Sequence, residues 1–186
     1  SEQGVFERLV LESFQSGLSW STILKKREAF RTAFASFIPE VVAAFTDQDR
    51  ERLMQDAGIV RNKRKIDAAI TNARAVIALR GALAAEADAH RAGRMGEAPL
   101  RHLLRPRQSY PRHLGELVWL YQPSHQPRPR CAQEVPAQTE ESRALSLELK
   151  RRGFVFVGPV TALALMSAIG ITNTDIIGTW KRPLAE

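Results

Sequence analysis

Apolar residues recur at intervals of three and four positions along most of this chain, which is 186 residues long. This spacing places apolar side chains on one face of an α-helix, whereas the two-residue alternation typical of strands is scarce. We therefore predict an all-α fold, a compact helical bundle with two lobes and a cleft between them. The spaced apolar positions include Phe6, Val10 and Phe14, then Ile23, Phe30, Phe34 and Phe37, and then Ile66, Ile70, Ala73 and Ile77.

Polar residues that favour helix starts set the expected bounds of the helices in the first half. Ser19, Asp47 and Asn62 each precede a helical stretch and can accept a hydrogen bond from its first turn. Gly17 is expected to end the first helix, and Gly58 the short helix that Asp47 opens. The remaining boundaries are Pro39, just past the helix that starts after Ser19, and a further helical turn over 41–45.

Residues 80–113 differ from the rest of the chain because they are rich in alanine, arginine, glycine and proline. We interpret this segment as an insertion, consisting of a helix extension and then a mobile basic loop. A helical pattern returns over 114–121, and the proline-rich stretch 122–138 is expected to be an extended connector. We expect the whole chain, 1–186, to form one domain.

Charge and composition limit the classes of function. The chain has 27 lysines and arginines against 20 acidic residues, a net charge of +7, which favours a polyanionic partner such as nucleic acid. A solvated basic surface remains the alternative for any single cluster. The one cysteine excludes an internal disulfide, and no apolar run has the length of a membrane span. We expect a cytoplasmic protein, associated with the nucleoid if the source is bacterial.

The segment LESFQSGLSWSTILKKR, residues 11–27, groups chemically unlike residues around one turn. Glu12 lies in the last turn of the first helix, where a carboxylate opposes the helix dipole, and Trp20 opens the next helix. The turn can bring the carboxylate and the indole to one cleft, with Leu18 at its tip in a position to enter a base stack. A solvated Glu12 and a core Trp20 are the alternatives. The basic residues that follow, Lys25 and Lys26, are candidate phosphate contacts.

A second candidate site lies near the C-terminus, in the sequence KRRGFVFVGP. A helix capped by Thr139 ends in basic residues and is stopped by Gly153, and Pro159 occupies the favoured first position of the next helix. This pattern predicts a helix-hairpin-helix, whose backbone N–H groups can bind a DNA phosphate without reading sequence. An ordinary pair of helices is equally compatible with the pattern. The candidate backbone contacts are Arg152, Gly153, Val157 and Gly158.

These blocks resemble the DNA-3-methyladenine glycosylase I family, within the helix-hairpin-helix glycosylases. Three stretches carry the resemblance in the same order: LESFQSGLSWSTILKKREAF, DAGIVRNKRKIDAAITNARA and LKRRGFVFVGPVTALALMSAIG. The resemblance implies a monofunctional enzyme without lyase activity that flips 3-methyladenine out of alkylated double-stranded DNA and hydrolyses its N-glycosidic bond. It implies Glu12 as the carboxylate that binds the base, Trp20 as the stacking wall and Leu18 as the residue that fills the gap. We expect a monomer.

The chain departs from the family pattern in two places. It lacks the N-terminal segment that carries zinc ligands and aromatic pocket residues, and the C-terminal ligand positions correspond to Asp175 and Thr179. We therefore expect no zinc and no other cofactor. Asp175 is instead a candidate catalytic aspartate, with helix capping as its ordinary role. Tyr110, from the insertion, is a candidate for the missing pocket wall.

Two other functions are compatible with the sequence. A homologue that is impaired or inactive as an enzyme could bind DNA without lesion preference, which the departures and the basic insertion favour. An all-helical interaction module without a nucleic-acid partner is the third alternative. Release of 3-methyladenine from methylated duplex DNA separates the first function from the other two.

Overall fold

The structure, a computed structural model, describes residues 1–179. Nine α-helices connected by turns and short 3₁₀ segments make up this part of the chain, which contains no strand. The predicted all-α fold is confirmed. The helices are α1 (Glu2–Gln15), α2 (Trp20–Lys25), α3 (Arg27–Ala33), α4 (Pro39–Ala43), α5 (Asp47–Gln55), α6 (Lys63–Arg91), α7 (Leu114–Trp119), α8 (Glu140–Arg151) and α9 (Pro159–Ala168).

Helix α1 occupies the centre of the fold. It packs against α2, α6, α7 and α9, and its apolar side chains join one continuous core with those of the other helices. Phe14 is fully buried, and its ring lies 4.8 Å from that of Phe30 and 5.9 Å from that of Phe34, edge-on in both cases. Buried aromatic pairs of this kind stabilise a core beyond their area alone. The position of α1 is therefore set by packing on several sides.

Three of the predicted helix caps are confirmed. The side chains of Ser19, Asn62 and Thr139 accept hydrogen bonds from the backbone N–H groups of Thr22, Lys65 and Ser142, respectively. The prediction for α5 was wrong by one residue, because Thr46 is the cap and forms a reciprocal capping box with Asp49. Thr46 adopts the extended backbone conformation that a cap requires, whereas Asp47 is already helical.

The helix predicted between Ser19 and Pro39 is wrong as a single element. It breaks at Lys26 into α2 and α3 and ends in a 3₁₀ turn over Ala35–Phe37, with positive φ values of 48°, 55° and 57°. The turn brings Phe37 into the core with no exposed surface, and the Gln3 side chain donates to the Ser36 carbonyl over 2.6 Å. Burial and this long-range hydrogen bond offset the backbone strain. Pro39 lies just past this helical stretch, as predicted, and is the first residue of α4.

Helix α6 extends through the first part of the predicted insertion. It runs for 29 residues, and its length and apolar character alone would allow it to cross a membrane. Half of its most apolar stretch is buried inside the protein, and the core helix of a globular fold passes the same test. Ile66 and Ile70 on its inner face are buried, whereas Ile77, predicted on the same face, is 39% exposed.

The turn between α8 and α9 is attached to the core by a buried side chain of α6. The Asn72 side chain donates to the Val155 carbonyl over 3.0 Å and accepts from the Val155 N–H over 2.8 Å. Asn72 itself is 1% exposed. Because it satisfies both backbone groups of one residue, Asn72 holds the turn at a defined distance from α6.

We expect the substitution Asn72→Leu to lower the free energy of unfolding by about 1–3 kcal/mol, because it leaves buried polar groups unpaired. Urea denaturation followed by circular dichroism measures the change. Thr71→Leu is the matched control, since Thr71 is the exposed neighbour on the same helix. That change should stay within about 0.5 kcal/mol. Equal effects of the two substitutions would contradict the role of Asn72.

Candidate active site

A cleft lies between the end of α1, the start of α2 and the segment that follows α9. Its volume is about 570 Å³. Side chains that were predicted as site residues from opposite ends of the sequence meet here, because α9 packs along α1. The residues that line the cleft are Arg8, Glu12, Gln15, Trp20, Ser167, Ala168, Gly170, Thr172, Asn173, Thr174 and Asp175.

Glu12 contributes a carboxylate that is 7% exposed. Among the described residues, no protein group donates a hydrogen bond to it, although buried carboxylates normally have donors. Burial raises the pKa of Glu12 above its usual value, and the positive charge of Arg8, one turn earlier, lowers it in part. The cleft therefore contains a desolvated acceptor whose lone pairs are available to a ligand with N–H groups or positive charge.

Trp20 forms the neighbouring wall of the cleft. It is the first residue of α2, directly after the Ser19 cap, and its indole is partly buried against the core. The Ser19 side chain fixes the start of α2 by accepting from the Thr22 N–H. An electron-rich indole beside a carboxylate is a suitable environment for a flat, cationic ring.

Lys65 holds the end of α1, a role that its sequence context does not indicate. Its ammonium donates to the carbonyl oxygens of Phe14 and Ser16 over 2.8 and 2.6 Å, and the residue is only 9% exposed. Burial lowers the pKa of Lys65. A cation at a helix C-terminus stabilises the dipole that Glu12 opposes. Lys65 belongs to a basic run, RNKRK, in which nothing distinguishes an internal lysine from an exposed one.

Leu18 lies at the tip of the turn between α1 and α2. Gly17 has a φ of 81°, and the Leu18 N–H closes the turn by donating to the Gln15 carbonyl over 2.7 Å. The Gln15 side chain donates back to the Leu18 carbonyl over 2.8 Å. Leu18 is 38% exposed, an apolar side chain held outward beside the cleft.

Asp175 follows α9 and lines the same cleft as Glu12 and Trp20. Its backbone N–H donates to the Asn173 side chain over 2.9 Å, which closes a tight turn in the segment after α9. The structure thus brings the candidate aspartate to the cleft that the indole and the first carboxylate also line, from a separate part of the chain.

The α8–α9 turn is joined to the same part of α1. Ser13, the neighbour of Glu12, donates to the Phe156 carbonyl over 3.2 Å, and Ser146 of α8 donates to the Val157 carbonyl over 2.6 Å. Gly153 has a φ of 87°, which favours glycine, and Gly158 caps α9. The α8–α9 turn is therefore bonded to the residue of α1 that directly follows Glu12.

Comparison with known proteins identifies the family. The family model described as methyladenine glycosylase matches residues 1–94 and 100–182. This chain belongs to the methyladenine glycosylase family. The match includes most of the predicted insertion and leaves 95–99 between its two parts.

Individual relatives, including proteins with solved structures, agree with this family assignment. DNA-3-methyladenine glycosylase 1 of Escherichia coli is 38% identical over 177 residues, covering 94% of this chain and 79% of the relative. A crystal structure of 3-methyladenine DNA glycosylase I has a TM-score of 0.76 at 34% identity, covering 98% of this chain and 86% of that one. A variant of 3-methyladenine DNA glycosylase I solved in complex with 3-methyladenine has a TM-score of 0.76 at 28% identity, covering 98% and 84%.

The zinc site implied by the methyladenine glycosylase resemblance does not fit the side chains present here. The resemblance assigns Asp175 and Thr179 to the C-terminal ligand positions, and the Thr179 hydroxyl donates to the Ile176 carbonyl over 2.8 Å. Within residues 1–179, no three histidine, cysteine, aspartate or glutamate side chains are grouped as metal ligands. A threonine hydroxyl is a poor zinc ligand compared with a thiolate. The expectation of a zinc-free protein stays a prediction.

Tyr110 does not supply a wall of this glycosylase cleft, and that suggestion was wrong. The residue is 6% exposed, and its hydroxyl donates to the Glu86 carboxylate over 2.7 Å and accepts from the Leu100 N–H. Burial and the Glu86 carboxylate raise the pKa of Tyr110. The ring packs the predicted insertion onto α6 instead.

Two of the predicted phosphate contacts are occupied by internal partners. The Arg152 side chain is 5% exposed and pairs with Glu86 and Glu148 at 3.0 and 2.6 Å. Lys26 donates to the carbonyls of Ala57 and Gly58. Lys25 is exposed at the end of α2, so it remains an accessible cation next to this turn.

The raised pKa of Glu12 predicts that Glu12→Gln stabilises the folded protein at neutral pH. An acid with a raised folded-state pKa binds more protons when folded, so its ionisation costs stability as pH rises. The gain in Tm should be largest above the folded-state pKa and disappear below the ordinary value of 4.5.

Glu7→Gln on the same helix is the matched control with the opposite sign. Glu7 is also 7% exposed, but Arg31 and Arg27 overcome the effect of burial and lower its pKa. Its substitution should reduce Tm at neutral pH. Calorimetry from pH 4 to 8 measures both variants, and a Tm gain for Glu12→Gln that does not depend on pH would contradict the assignment.

Proposed function

We propose that this chain excises 3-methyladenine from alkylated double-stranded DNA by hydrolysing the bond between the base and the sugar. The observation that carries this proposal is the Glu12 carboxylate, which is buried without a protein donor beside the Trp20 indole. A solved member of the same family binds 3-methyladenine, which agrees with this pair of side chains. The proposed role is base-excision repair by a monomer.

The flipped base carries positive charge when adenine is methylated at N3. Stacking on Trp20 stabilises such a cation through the negative face of the indole. Glu12 accepts hydrogen bonds from the base and supplies the opposite charge, and binding the cation in turn favours ionisation of Glu12. A neutral adenine gains neither charge interaction, so the pair favours the lesion over the normal base.

The positive charge also makes the base a good leaving group. As the glycosidic bond breaks, its electron pair moves to the cationic base and neutralises it, and water forms the new bond to the sugar carbon and releases a proton to the solvent. In this proposal Asp175, which lines the same cleft, stabilises the developing positive charge on the sugar or orients that water.

The surfaces around the cleft suit duplex DNA. Leu18 occupies the vacancy left by the flipped base, since it is exposed at the tip of a rigid turn. The backbone of the α8–α9 turn, from Gly153 through Val157 to Gly158, contacts the phosphates as a helix-hairpin-helix, and Lys25 adds a cation. We place the protein with its DNA in the cytoplasm, at the nucleoid in a bacterium.

Purified protein should release 3-methyladenine from methylated duplex DNA. Glu12→Gln should reduce the single-turnover rate by on the order of 100-fold, because it removes the charge that stabilises the cationic base. Chromatography of released bases measures this rate, and Tm shows that the variant is folded. Release no faster than from DNA alone would contradict the proposed glycosylase activity. It would favour the alternative, a protein that only binds DNA.

The role of Asp175 is tested separately. We expect Asp175→Asn to lower the single-turnover rate by about 100-fold with little change in the Kd for lesion-containing duplex, since the group acts on the transition state. Ser167→Ala, in the same wall of the cleft, is the control and should leave the rate within a few-fold. An unchanged rate in Asp175→Asn would assign Asp175 a structural role only.

A further inference from the structure

A second cavity lies between the C-terminal end of α6 and the segment that follows it. Its volume is about 680 Å³. The side chains that matter for its chemistry are His90, Arg101, His102, Arg105 and Arg107, and we call this feature the arginine pocket. It shares no lining residue with the cleft that contains Glu12.

The arginines of residues 91–113 fall into two groups of three. One group is paired with carboxylates: Arg91 with Asp88, Arg94 with Glu97, and Arg112 with Glu116. The other group, Arg101, Arg105 and Arg107, has no carboxylate partner among residues 1–179, and all three of its members line the arginine pocket. Charge is therefore concentrated at one place in the segment.

Local backbone structure brings these three side chains together. Arg101 belongs to a 3₁₀ turn over Arg101–Leu103. Arg105 and Arg107 belong to a tight turn in which the Gln108 N–H donates to the Arg105 carbonyl over 2.9 Å, and Arg107 has a φ of 65°. The strained conformation is held by the Gln108 side chain, which accepts from the Arg105 N–H over 3.0 Å. The pocket is thus built by ordered turns.

Nearby negative charge is already neutralised. Glu86 is paired with Arg152, and Asp88 is paired with Arg91, so both carboxylates in the helical turn before His90 have a guanidinium partner. The buried Nδ1 atom of His90 has no hydrogen-bond partner in the described part of the chain. The pocket therefore presents free donors and positive charge to an anion, and planar guanidinium groups match phosphate oxygens in particular.

The arginine pocket is connected to the turn that we propose to hold DNA. Arg152, which directly precedes Gly153, bonds to Glu86, and Glu86 accepts from the Tyr110 hydroxyl. The Tyr110 ring lies 5.7 Å from the ring of His90. His90 lies on α6, one helical turn beyond Glu86. A short path of packed side chains thus runs from the α8–α9 turn to the pocket.

We propose that the arginine pocket binds backbone phosphates of duplex DNA outside the lesion, as a second anchoring site. This inference rests on the proposed DNA substrate. Arg101, Arg105 and Arg107 are all exposed, so a polyanion that lies along the surface reaches each of them, whereas an enclosed site for a free anion would bury its arginines around the ligand. The site adds affinity without sequence or lesion preference.

The test compares two triple variants that remove the same charge from the same segment. Arg101→Gln/Arg105→Gln/Arg107→Gln removes the pocket arginines, and Arg91→Gln/Arg94→Gln/Arg112→Gln removes the paired ones. Fluorescence anisotropy with a long, undamaged duplex at several salt concentrations gives Kd and its salt dependence. The pocket variant should bind roughly tenfold more weakly at low salt, with the slope of log Kd against log salt reduced by about 0.9 per lost contact. The control variant should keep most of both.

Three further measurements separate phosphate anchoring from lesion binding, from free-anion binding and from loss of folding. A short duplex that covers only the lesion and the α8–α9 turn should bind the wild type and the pocket variant equally. Inorganic phosphate at the concentration of DNA phosphate should not displace the long duplex, because the site recognises the polymer. The single substitutions Arg101→Gln, Arg105→Gln and Arg107→Gln, each checked by Tm, should lower the slope by about one contact apiece if the triple variant is unstable.

The proposal is overturned if the pocket and control variants lose the same affinity, or if the salt slope of the pocket variant equals that of the wild type. Base release distinguishes this failure from failure of the proposed function. Single-turnover excision at saturating DNA should be unchanged in the pocket variant, since its arginines do not line the cleft. If the wild-type protein releases no base, the proposed glycosylase activity is overturned. The salt dependence of DNA binding still tests the phosphate site in the arginine pocket.

Discussion

The last turn of α1 is the constraint on which the rest of the site depends. Three successive residues of this turn have different tasks: Glu12 faces the cleft, Ser13 bonds to the Phe156 carbonyl, and Phe14 enters the aromatic core. The Lys65 ammonium then holds the Phe14 carbonyl together with that of Ser16. Because one rigid turn carries all these contacts, the Glu12 carboxylate and the α8–α9 turn keep a fixed separation.

The buried carboxylate of Glu12 lowers the stability of this helix, because no described residue pairs with it. Glu7, one and a half turns earlier on α1, is equally buried and has two arginine partners, whereas Glu12 has none among the described residues. The fold compensates at the helix end, where Lys65 stabilises the carbonyl groups that a nearby negative charge disfavours. A buried group without a partner is expected where a ligand completes the interaction.

Much of the fold and half of the site follow from local sequence. The spacing of apolar residues predicts the helices because each helix must bury one face. Caps such as Asn62 and Thr139 are predictable because each bonds to a backbone group only three residues along the chain. Gly17, between Glu12 and Trp20, similarly indicates a turn that places both on one side. The break at Lys26 is not predictable in this way, since the Lys26 side chain bonds to the carbonyls of Ala57 and Gly58, which only the fold brings near it.

The sequence by itself determined the helical class, the order of the elements and the unusual pairing of a carboxylate with an indole at one turn. Only the tertiary structure decided which charges are available to a partner. Arg152 and Lys65 lie within basic runs yet are internal, while Arg101, Arg105 and Arg107 keep their charge free of carboxylates among the described residues. The physical reason is that helix formation depends on neighbours along the chain, whereas neutralisation of a charge depends on groups that only folding brings near it.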